Sequence, residues 1–195
     1  MNGIVWRERI IMRWKKIVMS TLVLSLMGGS LLFADSVNEK IRFWVNGQEV
    51  QEGGYIIDGK TYVPIRSFDG LVNWSPTTKQ VKFLKPNVHI FLFEGDTIFG
   101  NVKKGKLKFN VFSQVDNLAE SVVAVKVAII DPSGIQKDIQ TQEYEGDPKD
   151  NFWFRTDGFT YDFKSTGKYT IGFYIKVSKN SEFELVSQKV ITALN

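Results

Sequence analysis

The chain has 195 residues, of which 43% are apolar, no cysteine, and a formal net charge of +4. The charge is concentrated at the start: residues 1–34 carry five basic side chains and one acidic one, and the remainder carries 20 of each sign. A phosphate backbone attracts clustered lysine and arginine, so we expect no nucleic-acid partner. Without cysteine, the protein has no disulfide, thiolate zinc site, cysteine nucleophile or cysteine-linked lipid.

The N-terminal segment has the layout of an export signal. Met12 to Lys16 is cationic, and Ile17 to Ala34 is uncharged, rich in leucine and followed by Asp35. This order predicts a signal peptide over residues 1–34 that directs the chain to the Sec pathway, with cleavage after Ala34. The uncharged run also approaches the ~20 residues that cross a bilayer, so a retained membrane anchor or a buried core helix stays open.

Export would place the rest of the chain outside the cell or at the cell surface. Either the signal peptide or the membrane anchor gives this outcome, and the membrane would then be contacted only through the N-terminal segment. After residue 34 the sequence predicts strands separated by turn residues. Asn46-Gly47 favours a tight type I′ hairpin because both residues tolerate positive φ. Residues 65–71 could form one or two helical turns, which Gly70 would end.

Three stretches in this region carry a family resemblance. They are VNGQEV at 45–50, IIDGKTYVPIRSF at 56–68 and LVNWSPTTKQVKF at 71–83. Together they resemble the copper amine oxidase N-terminal-like domain, or stalk domain, of exported Gram-positive bacterial proteins, over residues 40–93. The resemblance implies a small α+β module, an antiparallel sheet packed on a helix, which we assign to residues 38–98. In this family such a module is usually an accessory part of wall or surface proteins.

The family name does not imply oxidase chemistry here. Copper amine oxidase catalysis needs three copper-binding histidines, whereas this chain has a single histidine, His89. We therefore expect no copper site, and the sequence predicts no other metal or cofactor. His89 has no evident orienting partner of the kind that a general base requires.

Residues 104–195 predict a second module made of longer strands. Apolar and polar residues alternate in several stretches of about ten residues, and Asp131-Pro-Ser-Gly134 is a strong β-turn signal between two of them. Residues 135–144 are polar and predict an edge strand. Roughly seven strands with turns at this spacing predict an immunoglobulin-like antiparallel β-sandwich. The expected fold class is therefore mainly β, with a signal helix and one small α+β module.

Acidic residues offer two candidate sites, both weak. Glu143, Glu145, Asp147 and Asp150 surround Pro148 and could bind calcium, but they lack EF-hand spacing. A solvated loop is the alternative that we prefer. Asp157 and Asp162 could form a glycosidase pair, yet no cleft signature accompanies them. We expect no catalytic residues.

Three consecutive aromatic residues, Phe152, Trp153 and Phe154, are the candidate binding residues. Side chains alternate between the two faces of a strand, so either Trp153 or its two neighbours must point away from the core and could stack on a sugar or contact a protein. Packing beneath a loop or against the first module is the alternative. The sequence thus predicts a non-catalytic, exported cell-surface or cell-wall-associated binding or structural protein. Its partner would be a cell-wall polymer or an extracellular protein. A secreted inhibitor or regulator of an extracellular hydrolase, presenting the loop at 143–150, is the second hypothesis.

Overall fold

The computed structural model describes residues 38–118, 121–144 and 151–195. The chain divides into two compact units, Met1–Val63 and Pro64–Asn195. The predicted signal peptide lies outside the described residues, as do Glu145, Asp147 and Asp150 of the predicted acidic loop. No helix in the described part of the chain is long and apolar enough to span a bilayer.

The described part of the first unit consists of short strands. They are β1 (Glu39–Ile41), β2 (Trp44–Val45), β3 (Gln48–Glu49), β4 (Gly54–Ile57) and β5 (Lys60–Tyr62). β1, β4 and β5 form an antiparallel sheet in that order, and β2 and β3 form a hairpin. The hairpin turns through Asn46 and Gly47 with φ of 52° and 81°, so the predicted tight turn with two positive φ angles is confirmed.

An exposed ion pair reinforces this hairpin. Arg42 donates from Nε to Oε1 of Glu49 at 2.5 Å and from Nη2 to Oε2 at 2.6 Å. The hydrogen bond from Arg42 lowers the pKa of Glu49 below its ordinary value. Because both side chains are open to solvent, the pair adds more to local geometry than to the stability of the unit.

The second unit opens with one turn of 3-10 helix at Ile65–Ser67, followed by twelve strands. These are β6 (Leu71–Ser75), β7 (Gln80–Leu84), β8 (Asn87–Glu94), β9 (Thr97–Ile98), β10 (Asn101–Lys103), β11 (Gly105–Asp116), β12 (Ala124–Ile130), β13 (Gln136–Glu143), β14 (Phe152–Arg155), β15 (Phe159–Phe163), β16 (Gly167–Lys176) and β17 (Glu184–Leu194). The helix that the family resemblance implied corresponds here to the single 3-10 turn.

Ten of these strands form two sheets. One has the order β10-β17-β16-β12-β13, and β13 lies at its edge, as predicted for a polar strand. The other has the order β14-β11-β8-β9, and β15 also pairs with β11. Neighbouring strands are antiparallel except for β10 and β17, which run parallel. The prediction of a mainly β chain with antiparallel sheets is confirmed.

The two sheets share one hydrophobic core. Leu92 and Val111 of one sheet and Ile171 and Phe173 of the other belong to the same buried cluster. The ring centroids of Phe154 and Phe173 lie 6.5 Å apart, which shows direct packing between the sheets. The core residues of β11, β12 and β16 lie at alternate positions, on one face of each strand. The opposite face of the β12–β16 pair is covered as well, since Ala124, Ala128 and Tyr174 there are at most 9% exposed.

The β6–β7 hairpin is hydrogen-bonded to the first residues of β17. Gly70 N donates to the carbonyl oxygen of Leu185 at 2.8 Å, and Val72 N donates to Oε2 of Glu184 at 2.8 Å. Leu71 inserts into the core of the second unit. The region that resembles the stalk family therefore contributes residues to both compact units.

β8 also differs from the sequence interpretation. We assigned residues 38–98 and 104–195 to separate modules, but β8 pairs with β11 over seven residues. The polar, glycine-containing segment between them, which suggested a module boundary, contains the turns and short strands β9 and β10. Turn residues interrupt a strand in the same way whether they connect two domains or two strands of one sheet.

Candidate binding surface

The three consecutive aromatic residues lie on β14, at one edge of the β14-β11-β8-β9 sheet. Phe154 points into the core and is 2% exposed, whereas Trp153 points outward and is 67% exposed. Phe152 is half-buried and its ring makes an edge contact with Tyr144, with the centroids 5.6 Å apart. Of the two orientations that the sequence left open, the structure therefore places Trp153 on the outside.

Strand register surrounds Trp153 with residues from two other strands. Trp153 lies opposite Gln114 of β11, which in turn lies opposite His89 of β8. The next row consists of Arg155, Phe112 and Phe91, and the third of Asn110, Phe93 and Ile98. Because residues paired across strands share a face, these nine side chains form one surface, which we call the aromatic face.

The rings of the aromatic face are ordered relative to one another. Phe112 and Trp153 are stacked, with centroids 6.1 Å apart and an interplanar angle of 23°. The guanidinium carbon of Arg155 lies 5.7 Å from the centroid of Phe93, a cation–π distance. Phe91 is 38% exposed and lies directly across from Phe112. Aromatic surface thus extends over three adjacent strands.

Polar groups lie between and beside these rings. Gln114 Nε2 donates to Oδ2 of Asp116 at 3.1 Å, which orients the amide next to Trp153. Asn110 Nδ2 donates to the carbonyl oxygen of Thr156 at 2.9 Å. His89 is exposed beside Gln114. Together with Asp116 at its border, the aromatic face therefore combines flat apolar rings with amide, carboxylate, imidazole and guanidinium groups.

The position of Trp153 depends on a break between β14 and β15, since both strands pair with β11 in succession. At the break, Thr156 N donates to the carbonyl oxygen of Val111 at 2.9 Å, and Val111 N donates to Thr156 Oγ1 at 2.9 Å. Thr156 is buried. These two hydrogen bonds keep β14 in register where the regular ladder is interrupted.

The other candidate residues are dispersed. Asp162 lies on β15 opposite Lys106, and Asp157 follows β14, where its backbone N–H donates to Oε1 of Gln140 at 2.7 Å. Glu143, the first residue of the proposed calcium loop, is exposed at the end of β13. Within residues 38–118, 121–144 and 151–195, no group of three or more His, Asp or Glu side chains is arranged to hold a metal ion.

Two open clefts beside β6 were not foreseen from the sequence. One, of about 390 Å³, is lined by Trp74, Lys82, Ser178 and Glu184 among others. The second, of about 480 Å³, is lined by residues 66–70 and 182–185 together with Val72. The hairpin and the 177–185 segment are about a hundred residues apart in the chain, and no local pattern marks two segments that meet at such a separation.

Comparison with known proteins adds no assignment to this geometry. Neither a scan against protein-family models nor a search of curated proteins finds a match to the chain. The resemblance of residues 40–93 to the stalk-domain family accordingly stays a prediction.

Proposed function

We propose that this is a non-catalytic, exported binding protein of the cell surface or cell wall, which recognises its partner with the aromatic face. The observation that carries the proposal is the exposed stack of Trp153 on Phe112. Its partner is a cell-wall polymer or an extracellular protein. The N-terminal sequence supplies the location, because residues 1–34 have the order of a secretory signal.

The physical argument is that the outward face of the β14-β11-β8 sheet, opposite the core, does not need large aromatic side chains for the protein to fold. An antiparallel sheet with one face on the core normally has polar residues on the other. Here phenylalanines and a tryptophan occupy the outward positions of three neighbouring strands. A contiguous apolar patch with polar groups at its border marks an interaction site more often than a structural one.

Strand order supports an immunoglobulin-like scaffold for this surface. β8 pairs with β11 in one sheet, and β10, a few residues later, joins β17 in the other sheet. The chain thus contributes β8 to one sheet and, shortly afterwards, β10 to the other. This arrangement at the start of the two sheets is compatible with an immunoglobulin-like sandwich. A rigid scaffold of this kind can hold a binding surface in a fixed geometry. The resemblance of residues 40–93 to the stalk-domain family is part of the same proposal.

Co-sedimentation of the purified full-length chain with isolated bacterial wall material tests the proposal. We expect the chain to sediment with intact walls and to remain in the supernatant without them. The same preparation is assayed against a panel of extracellular proteases and glycosidases. Inhibition of one of these enzymes without wall binding would replace the proposal by the inhibitor hypothesis. Mass measurement of the exported chain, expected to begin at Asp35, tests the location separately.

A further inference from the structure

We infer that the aromatic face binds the sugar rings of an uncharged polysaccharide strand. This inference rests on the proposed function and names the class of ligand. Among the described residues, the aromatic face is the surface where stacked rings, hydrogen-bonding groups and balanced charge coincide. Each of these three features favours a sugar polymer over another partner.

Ring geometry is the first feature. Phe112 and Trp153 are stacked with their planes inclined by 23°, which supports the indole on one side, and Trp153 is 67% exposed, so the open part of its ring offers a flat apolar surface to the solvent. One face of a pyranose ring carries mainly C–H groups, which pack against an aromatic ring in parallel. Aromatic rings with a hydrogen-bonding partner nearby are suited to ligands that are apolar on one side and polar at the rim.

Hydrogen-bonding capacity is the second feature. Gln114 lies between Trp153 and His89, and its amide is oriented by Asp116. Arg155 lies in the adjacent row. These groups include donors and acceptors at the border of the rings, as the hydroxyl groups of a sugar require, since each hydroxyl both donates and accepts.

Charge is the third feature. Arg155 is the only lysine, arginine or acidic residue among the nine of the aromatic face, its guanidinium already lies against the ring of Phe93, and Asp116 at the border of the face has the opposite charge. A polyanion such as a nucleic acid or a polyphosphate is bound by an excess of basic side chains, which is not found among these residues. The charges of Arg155 and of the bordering Asp116 therefore balance, which matches a ligand without charge.

The size of the aromatic face fits a polysaccharide strand. Three strands at their usual spacing and three outward positions on each give an area on the order of 300 Å². A stable protein interface needs about 800 Å² on each partner. Beyond the aromatic face, β11 continues with exposed Lys106 and Lys108, which do not extend the apolar area. Several consecutive sugar units fit this area, whereas a stable protein interface would also have to cover the polar residues around it.

The experiment measures binding of the full-length chain to two probes: insoluble chitin, and bacterial walls stripped of protein and of acid-labile anionic polymers. Trp153→Ala removes the largest ring, and Trp153→Phe restores a smaller one. Trp74→Ala is the matched control, because Trp74 is a half-exposed tryptophan on β6, outside the aromatic face. Thermal unfolding of each variant verifies that it is folded.

We expect the wild-type chain to bind at least one probe and Trp153→Ala to weaken that binding about tenfold or more. Trp153→Phe should retain most of the affinity and Trp74→Ala all of it. Binding to intact walls that is lost when protein or the acid-labile anionic polymers are removed, or that is unaffected by Trp153→Ala, overturns the polysaccharide inference and leaves wall binding in place. Failure to bind chitin and walls in any form overturns both the polysaccharide inference and the cell-wall part of the proposed function, and leaves an extracellular protein as the partner.

Discussion

The two faces of the β14-β11-β8 sheet are built from the same strands and from similar side chains, yet they have opposite surroundings. The inward residues Leu92, Val111 and Val115 are at most 1% exposed, whereas the outward residues Phe91 and Trp153 are 38% and 67% exposed. Hydrophobicity of a residue therefore does not decide its burial here. Position along the strand decides it, because only one face meets the second sheet.

The largest effect should come from truncating an inward aromatic residue. Phe154→Ala removes a ring packed against Phe173 in the shared core, and we expect a loss of about 3–5 kcal/mol in the free energy of unfolding. Urea denaturation followed by circular dichroism measures it. If Phe154→Ala does not fold, Phe154→Leu, which preserves most of the buried volume, should cost about 1.5 kcal/mol or less. A negligible loss in both variants would contradict the inward assignment.

Next in size is the hydrogen bond that keeps β14 in register. Thr156→Val removes the hydroxyl that accepts from Val111 N in a buried site. We expect a loss of about 1–3 kcal/mol, the cost of leaving a buried N–H without a partner. Thr156→Ser keeps the hydroxyl and should lose clearly less. Equal losses in the two variants, measured by the same denaturation, would show that packing of the methyl group matters more than the hydrogen bond.

Ser113 is an inward residue whose substitution, unlike the two above, should not lower the stability of the protein. Its hydroxyl is fully buried on β11 and has no hydrogen-bond partner within the described part of the chain. Burying an unsatisfied hydroxyl costs free energy, so Ser113→Ala should leave stability unchanged or raise it by up to about 1 kcal/mol. Denaturation midpoints of wild type and variant provide the measurement. A clear loss of stability would indicate that the hydroxyl is satisfied in solution.

A smaller effect concerns the turn that connects β12 to β13, at the edge of the facing sheet. Asp131 Oδ1 accepts from Ser133 Oγ at 2.6 Å and from the N–H groups of Ser133 and Ile135 at 2.9 Å. The Ser133 hydroxyl, followed by the backbone N–H groups, lowers the pKa of Asp131 below its ordinary value. This contribution to stability is present above the pKa of the unfolded chain and is lost as the pH falls through the lower pKa of the folded state.

Asp131→Asn should therefore reduce the stability of the protein at neutral pH and remove part of its decline in acid. Thermal unfolding between neutral pH and pH 3 compares the two proteins. Asp157→Asn is the control, since Asp157 lies in another loop and its own N–H bonds to Gln140. Parallel curves for wild type and Asp131→Asn over the whole range would show that the hydrogen bonds to Asp131 do not form.

The smallest effect on stability should come from the outward face. Trp153→Ala leaves the core intact, so we expect a change within about 1 kcal/mol. Trp153 and Phe154 are adjacent in the chain and point to opposite faces, so the difference in stability loss between Trp153→Ala and Phe154→Ala compares the two faces most directly. A loss of unfolding free energy as large as that of Phe154→Ala would show that Trp153 has a structural role. That result would contradict the proposal that the aromatic face is a binding surface.

Several features could be read from local chemistry. The Asn46-Gly47 hairpin and the Asp131–Gly134 turn formed as predicted because the conformation of a tight turn depends mainly on its own residues. Alternation identified most strands of the second unit for the same reason. It also restricted Trp153 and its neighbours to opposite faces, although it could not say which face was buried.

The aromatic face as a whole could not be predicted. Phe91, Phe112 and Trp153 come from three strands, the last separated from the first by about sixty residues, and they share a surface only because β11 pairs with both β8 and β14. Pairing partners depend on which sheet edges are available when the core forms. The sequence pattern of a single strand does not show which other strands it will pair with.

The sequence by itself thus determined the mainly β character, the tight turns and the alternation along each strand, since these follow from interactions between residues close in the chain. Tertiary structure alone decided that β8 belongs with β11, that Trp153 faces outward, and that aromatic rings of three strands meet beside Gln114. The physical reason is that burial depends on what packs against a face, and at Trp153 that is settled by residues distant in the chain.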